Sequence, residues 1–179
     1  MTIKLYFITG NKNKFAEAKA IISDLEQLDI DLPEIQDIDA HKIVRAKLKE
    51  AFHHHKGEFI IEDTSLYLEC LNGLPGPLVK WFLETIGSKG IYEIANKFGN
   101  SRAEAKTIIG YAKNENEIEF FEGILSGDIV GPRGDKDFGW GLIFQPEGHD
   151  KTFGEMERDE KHSLSMRGLA FKKLREHLK

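Results

Sequence analysis

Three short apolar runs alternate with two stretches of helical spacing over the first 61 residues, and nothing else in the chain narrows its fold so far. Ile3 to Thr9 is apolar and β-prone and reads as a first strand. It runs into the turn Gly10-Asn11-Lys12-Asn13, and a helix is expected from about Lys14 to Leu25, with Ala16, Ala20 and Ile21 forming its apolar stripe. Leu28 to Leu32 is a second short strand. Ile43 to His55 is a second helix, with Ile43, Ala46, Lys47, Glu50 and Ala51 at helical spacing. Gly57 ends it and Phe59-Ile60-Ile61 begins a buried strand. This β-α-β-α-β order predicts an α/β fold, and open sheets of that kind bind ligands beyond the carboxyl ends of their strands.

The rest of the chain adds elements without a linker, repeat or low-complexity tract. Asn72-Gly73-Leu74-Pro75-Gly76-Pro77 reads as a tight loop, since its glycines and prolines break regular structure. Helices are expected over Val79–Ile86 and Ile91–Phe98. Strands are expected over Ala103–Ala112 and Ile118–Leu125, joined in a hairpin at Asn114-Glu115-Asn116. Gly131-Pro132-Arg133-Gly134 opens another loop, and Ser163 to Leu178 forms an amphipathic helix. The 179 residues suit one domain, 1–179, with room for two lobes. A net charge of −5 argues against a general nucleic-acid or membrane binder, because either wants a basic face. The single cysteine, Cys70, reads as a small buried thiol and calls for no oxidising compartment. The start has no signal-peptide layout and no apolar stretch reaches the ~20 residues of a membrane span, so the cytoplasm is the expected address.

Five patches carry chemistry, and each has a plainer alternative. Thr9-Gly10-Asn11-Lys12-Asn13-Lys14 lies between a strand and a helix, where free backbone N–H groups and the positive end of the helix dipole suit a polyphosphate. Alternatively, Asn11 caps the helix and Lys14 is solvated. Glu62-Asp63-Thr64 follows a buried strand, and its hard oxygens suit Mg²⁺ and the handling of a water. Alternatively, Asp63 or Thr64 caps a helix. Leu74 to Phe82 presents Lys80 beside Trp81 and Phe82, either as a phosphate clamp or as a helix entry with both aromatics in the core. Asp137-Phe138-Gly139-Trp140-Gly141 can sandwich a planar base, or can split its aromatics between core and surface. Lys161 with Ser165-Met166-Arg167 can read phosphate or a carbonyl oxygen at the start of the last helix, or can simply be solvated. His53-His54-His55 points three ways from a helix, so these residues do not form one metal site.

Together these patches resemble the inosine triphosphate pyrophosphatase family, the non-standard purine nucleoside triphosphate pyrophosphatases. The matching residues are Thr9-x-Asn11-x-x-Lys14, Glu62-Asp63-Thr64, Gly73-Leu74-Pro75-Gly76-Pro77 with Lys80-Trp81-Phe82, Pro132-Arg133-Gly134, Phe138-Gly139-Trp140, and Lys161 with Ser165 and Arg167. The resemblance implies an elongated two-lobed α/β fold, with a twisted mixed sheet flanked by helices and a cleft between lobes. It implies a homodimer and Mg²⁺, with Mn²⁺ an acceptable substitute. It assigns the triphosphate to Thr9, Asn11 and Lys14, and the metal to Glu34, Glu62 and Asp63. Asp63 would orient or deprotonate the attacking water. Thr64, Lys80, Lys161, Gly139 and Ser165 would line the substrate, Phe138 and Trp140 would stack on the base, and Arg167 would meet its oxygen edge.

The expected reaction is hydrolysis of ITP, dITP or XTP to a nucleoside monophosphate and pyrophosphate. Gly141 stands where the family usually has Asp, and Met166 where it usually has His. Both departures fall at the base-reading end, so the resemblance predicts intact catalysis with an altered or weaker base preference. Two alternatives follow from the same departures: the same chemistry on another nucleotide such as dUTP, or a nucleotide-binding protein without turnover.

Overall fold

The computed structural model describes residues 4–137 and 139–179. The chain divides into two compact units. Unit 1 comprises residues 1–63, 107–123 and 167–179. Unit 2 comprises residues 64–106 and 124–166. Among the described residues seven strands form a mixed sheet, in the order β2-β1-β3-β5-β6-β7 with β4 added on β3. They are β1 (Leu5–Ile8), β2 (Glu26–Leu28), β3 (Glu58–Leu68), β4 (Pro75–Gly76), β5 (Arg102–Asn114), β6 (Glu117–Ile129) and β7 (Phe144–Pro146). Five helices are described: α1 (Lys12–Ile21), α2 (Ala40–His54), α3 (Val79–Phe98), α4 (Arg158–Leu164) and α5 (Met166–His177). The α/β class expected from the sequence is the class observed.

Unit 1 is a three-layer sandwich built by the two-residue alternation of its strands. β1 pairs in parallel with both β2 and β3, with Phe7 opposite Ile60. Phe7, Ile60 and Ile109 turn to one face and pack with Ala18 of α1 and with Ala170, Phe171 and Leu174 of α5. Ile8, Phe59, Ile61 and Ile108 turn to the other face and pack with Val44, Leu48 and Ala51 of α2. Gly110 is what lets α2 come so near. A Cβ there would lie 2.5 Å from Val44 Cγ1 and 2.6 Å from Leu48 Cδ1, inside any permitted contact.

Unit 2 has its own core. Leu66 and Leu68 of β3, Val79, Ile91 and Ala95 of α3, Phe144 of β7, Phe153 and Met156 gather into one cluster. β7 runs antiparallel to β6, with Ile129 opposite Phe144. β4 runs antiparallel to β3, with Leu66 opposite Gly76. That short strand sits inside the stretch expected to be only a loop, which turns through Asn72 at φ 51 before Pro75. α3 joins the two helices expected over 79–86 and 91–98, and its backbone breaks at Gly87 (φ 68, ψ 177).

Other boundaries differ from expectation as well: α2 begins at Ala40 rather than Ile43, and β6 runs to Ile129 rather than Leu125. α1 begins two residues earlier than expected, because Asn11 caps it, and stops at Ile21. β2 covers 26–28 rather than 28–32. β3 does not end at Ile61 but continues to Leu68. The expected tail helix is two helices, divided at Ser165, whose extended backbone (φ −64, ψ 149) ends α4. Trp81, which the helix-entry alternative would place in the core, is 49% exposed, and Cys70, expected to be buried, is only partly so.

Candidate active site

β1 ends at Ile8, while its neighbour β3 runs on through Glu62 and Asp63. The chain leaving β1 therefore turns over a stretch of β3 that has no β1 partner. Three short bonds set that turn. Asn11 N–H donates to Thr9 Oγ1 (3.1 Å), and Asn13 and Lys14 N–H donate to Asn11 Oδ1 (3.0 and 3.1 Å). Asn11 is thus a helix cap, as the plainer reading had it. Lys14 is not solvated as that reading supposed: its ammonium stands 3.0 Å from Glu62 Oε1.

Glu62 shares a strand face with Ile60, two residues before it, and so points to the side where α1 and α5 lie. Its side chain is 1% exposed. Arg167, at the start of α5, donates from Nε to Glu62 Oε2 (2.8 Å) and from an Nη to Oε1 (3.3 Å). The other Nη of Arg167 donates to Glu17 Oε2 at 2.7 Å. Glu17 lies one helical turn beyond Lys14 on α1. Burial by itself pushes the Glu62 carboxyl up. The charges of Arg167 and Lys14, with their hydrogen bonds, outweigh that and bring it to about 2. Arg167 is desolvated too, and Glu62 and Glu17 hold it firmly protonated.

The same alternation turns Asp63 away from Glu62, to the face covered by α2. A pocket of about 290 Å³ is lined there by Thr9, Gly10, Lys14, Asp31, Glu34, Lys47, Glu62 and Asp63. Lys47 Nζ lies 2.9 Å from Glu34 Oε1. The pocket thus brings together Thr9, Lys14, Glu34, Glu62 and Asp63, which the sequence had singled out far apart in the chain. Asp63 and Glu62 stand within β3, not at its carboxyl end as the sequence suggested. Asp63 is left partly exposed there because β1 stops short, whereas Glu62 is buried.

Lys47 lies outside the residues that the sequence reading assigned to the site. Its signal was present: it falls on the stripe of α2 that buries Ala40, Ile43, Val44, Leu48 and Ala51, and a lysine on a core-facing stripe needs a reason. Among the described residues no group of three or more His, Cys, Asp or Glu side chains converges in a way that would hold a metal ion. The chemistry of the pocket nevertheless fits Mg²⁺. Its oxygen donors are hard, and Mg²⁺ commonly takes only one or two carboxylates together with substrate phosphates.

The remaining sequence-singled residues lie in unit 2, apart from Phe138, which falls outside the described residues. Trp140 is 9% exposed and meets Phe144 edge-on at 5.6 Å. Gly139 begins the short helical turn Gly139–Leu142 that holds it. Lys161 is in the last turn of α4 rather than at the start of the last helix, and its ammonium lies 2.7 Å from Asp137 Oδ2. Ser165 joins α4 to α5, and Met166 is buried in the unit 2 core. Lys80 is exposed, 5.5 Å over the Trp81 ring and 3.9 Å from Glu84. Thr64 lies on β3 and is partly exposed. No helix among the described residues is long and apolar enough to cross a membrane.

Known proteins resemble this chain over nearly its whole length. The model of the Ham1 family matches residues 5–177. The inosine triphosphate pyrophosphatase of Schizosaccharomyces pombe is 45% identical over 184 residues, covering 99% of this chain and 97% of that one. The inosine triphosphate pyrophosphatase of Saccharomyces cerevisiae is 39% identical over 190 residues, covering 98% and 95%. Among solved structures, the Ham1 protein of Staphylococcus aureus superposes with a TM-score of 0.81 at 27% identity, covering 98% of each chain.

Proposed function

The chain belongs to the Ham1 family, and from that membership we infer that it is a nucleoside triphosphate pyrophosphatase of the inosine triphosphate type. It hydrolyses non-standard purine nucleoside triphosphates (ITP, dITP and XTP) to the monophosphate and pyrophosphate, clearing them from the nucleotide pool. The observation that supports this chemistry best is the unit 1 pocket. Two lysines and the start of a helix stand there with four carboxylates, the combination needed to grip a polyphosphate and to handle a water.

The residues divide the work. The positive end of the α1 dipole, with Thr9, Asn11 and Lys14, takes the triphosphate, and Lys47 adds a second cation. Lys14 already faces a carboxylate, so an arriving phosphate exchanges one anionic partner for another while Arg167 keeps Glu62 neutralised. Glu34, Glu62 and Asp63 are the proposed holders of Mg²⁺, or of Mn²⁺ in its place. Bound there, the ion would neutralise charge on the phosphates and on the departing pyrophosphate. Asp63 orients the attacking water and accepts its proton as the α-phosphorus is attacked in line. Thr64, Lys80, Gly139, Lys161 and Ser165 keep their proposed contacts with substrate, Trp140 and Phe138 theirs with the base, and Arg167 its contact with the base oxygen edge. The further proposals are a homodimer, checked by a light-scattering mass of two chains, and a cytoplasmic setting.

The test is pyrophosphate release from ITP, dITP, XTP, GTP, ATP and dUTP with Mg²⁺, with Asp63→Asn as the control. Release from ITP and XTP, little from ATP, and a loss on the order of 100-fold or more in Asp63→Asn are expected. Release from dUTP in their place would move the substrate, and release from none would overturn the reading.

A further inference from the structure

The carboxylate of Asp137 occupies space that belongs to the side chain of residue 141. A Cβ built on Gly141 would lie 1.9 Å from Asp137 Oδ2, 2.5 Å from its Cγ and 3.0 Å from its Cβ. No side chain at 141 and the carboxylate of Asp137 can both be there. Asp137 Oδ2 in turn accepts a hydrogen bond from Lys161 Nζ at 2.7 Å. The pair is well enclosed: the Lys161 side chain is 15% exposed and that of Asp137 8%. The Lys161 ammonium also lies 5.4 Å over the Phe153 ring, a buried residue of the unit 2 core. A lysine gripped by a carboxylate on one side and an aromatic face on the other has lost most of the freedom of its four-carbon stem.

We propose that Asp137 is a positioning residue for Lys161, and that Gly141 is the residue that admits it. Asp137 fixes the place and direction of the Lys161 ammonium, so that the cation meets its anionic or carbonyl partner on the nucleotide already ordered. The glycine is needed because it alone leaves room for the carboxylate. Lys161 contacts substrate, Asp137 acts through it, and Gly141 acts through Asp137. This inference rests on the nucleotide pyrophosphatase reading above.

Three variants and two readouts test it. Asp137→Asn keeps the shape and removes the charge, and it should raise KM for ITP about tenfold with kcat within roughly twofold of the parent. Gly141→Ala should move KM the same way, because its methyl displaces the carboxylate. The exchange Asp137→Gly with Gly141→Asp supplies a carboxylate to the same space from the opposite side, and should bring KM back to within about threefold of the parent. A merely structural role would lower the melting temperature without splitting KM from kcat and would give no rescue. The second readout needs no turnover. It is the rate at which an amine-acylating reagent labels Lys161, followed by mass spectrometry of the intact fold. Labelling should rise several-fold in Asp137→Asn, because the amine is no longer held. Unchanged KM in both single variants, or unchanged labelling, overturns the proposal. If the parent releases pyrophosphate from no nucleotide, the functional reading fails and the labelling arm alone decides the Asp137–Lys161 grip.

Discussion

Glu62 shows how a charge can be buried safely. Two cations reach its two oxygens, so a carboxylate that burial would keep protonated is ionised down to about pH 2. Its folded value lies below the ordinary 4.5, so its contribution to stability is present above about pH 4.5 and is lost as the pH falls towards 2. Glu62→Gln should therefore cost on the order of 3 kcal/mol at pH 7, where Arg167 is left buried beside a neutral amide. The gap between parent and variant should close as urea unfolding is repeated at falling pH. Lys14→Ala should separate the cation's two roles. Glu62 retains Arg167, so the fold should survive with a small change in melting temperature. kcat/KM for ITP should fall on the order of 100-fold, read from pyrophosphate release. Lys14, Glu62 and Asp63 were singled out in the sequence by their place around a strand and a turn, but spacing alone left a plainer alternative open for each, and only the family resemblance selected them. The Arg167–Glu62 pair was not, because 105 positions separate its members and only the packing of α5 on β3 joins them.

Elements were legible where the local sequence decided them, and illegible where a neighbour did. The cap at Asn11 is local, and Asn11→Ala should lower stability by about 1 kcal/mol, measured by urea unfolding. The hairpin around Asn114 was read correctly because the turn residues specify it: Asn114 Oδ1 accepts from Asn116 and Glu117 N–H. The full length of β3 could not be read, because Glu62-Asp63-Thr64 interrupts its apolar pattern. The strand continues because β4 and the unit 2 core receive Leu66 and Leu68. The single tail helix became two because Ser165 takes an extended backbone that no sequence period signals. Gly110 reads as an unremarkable strand glycine until α2 is laid against it. Gly110→Val should cost about 1–3 kcal/mol by overpacking against Val44 and Leu48, seen as a lower urea midpoint with an unchanged slope.

The whole chain enters unit 1 three times and unit 2 twice, changing unit within β3, β5 and β6 and at the start of α5. Neither unit can therefore be cut out as one continuous segment. Removing residues 167–179 should unfold unit 1. The deletion takes away Phe171 and Leu174, both fully buried, together with the guanidinium that neutralises Glu62. The expected result is an insoluble or protease-sensitive product, checked by limited proteolysis against the full chain. The alternation of strands and helices announced the α/β class from sequence, but not this passage back and forth, which depends on contacts between residues far apart along the chain. It also carries a consequence for biosynthesis. On the ribosome, every segment of unit 2 has been made by residue 166, while unit 1 still lacks α5. Until that helix emerges, Glu62 has Lys14 but no Arg167, and the unit 1 pocket rests on an unfinished floor. A chain that stops at residue 166 carries the whole of the pocket lining but lacks Arg167 and the packing of α5 behind it, so the site is complete only once residues 167–177 have been made.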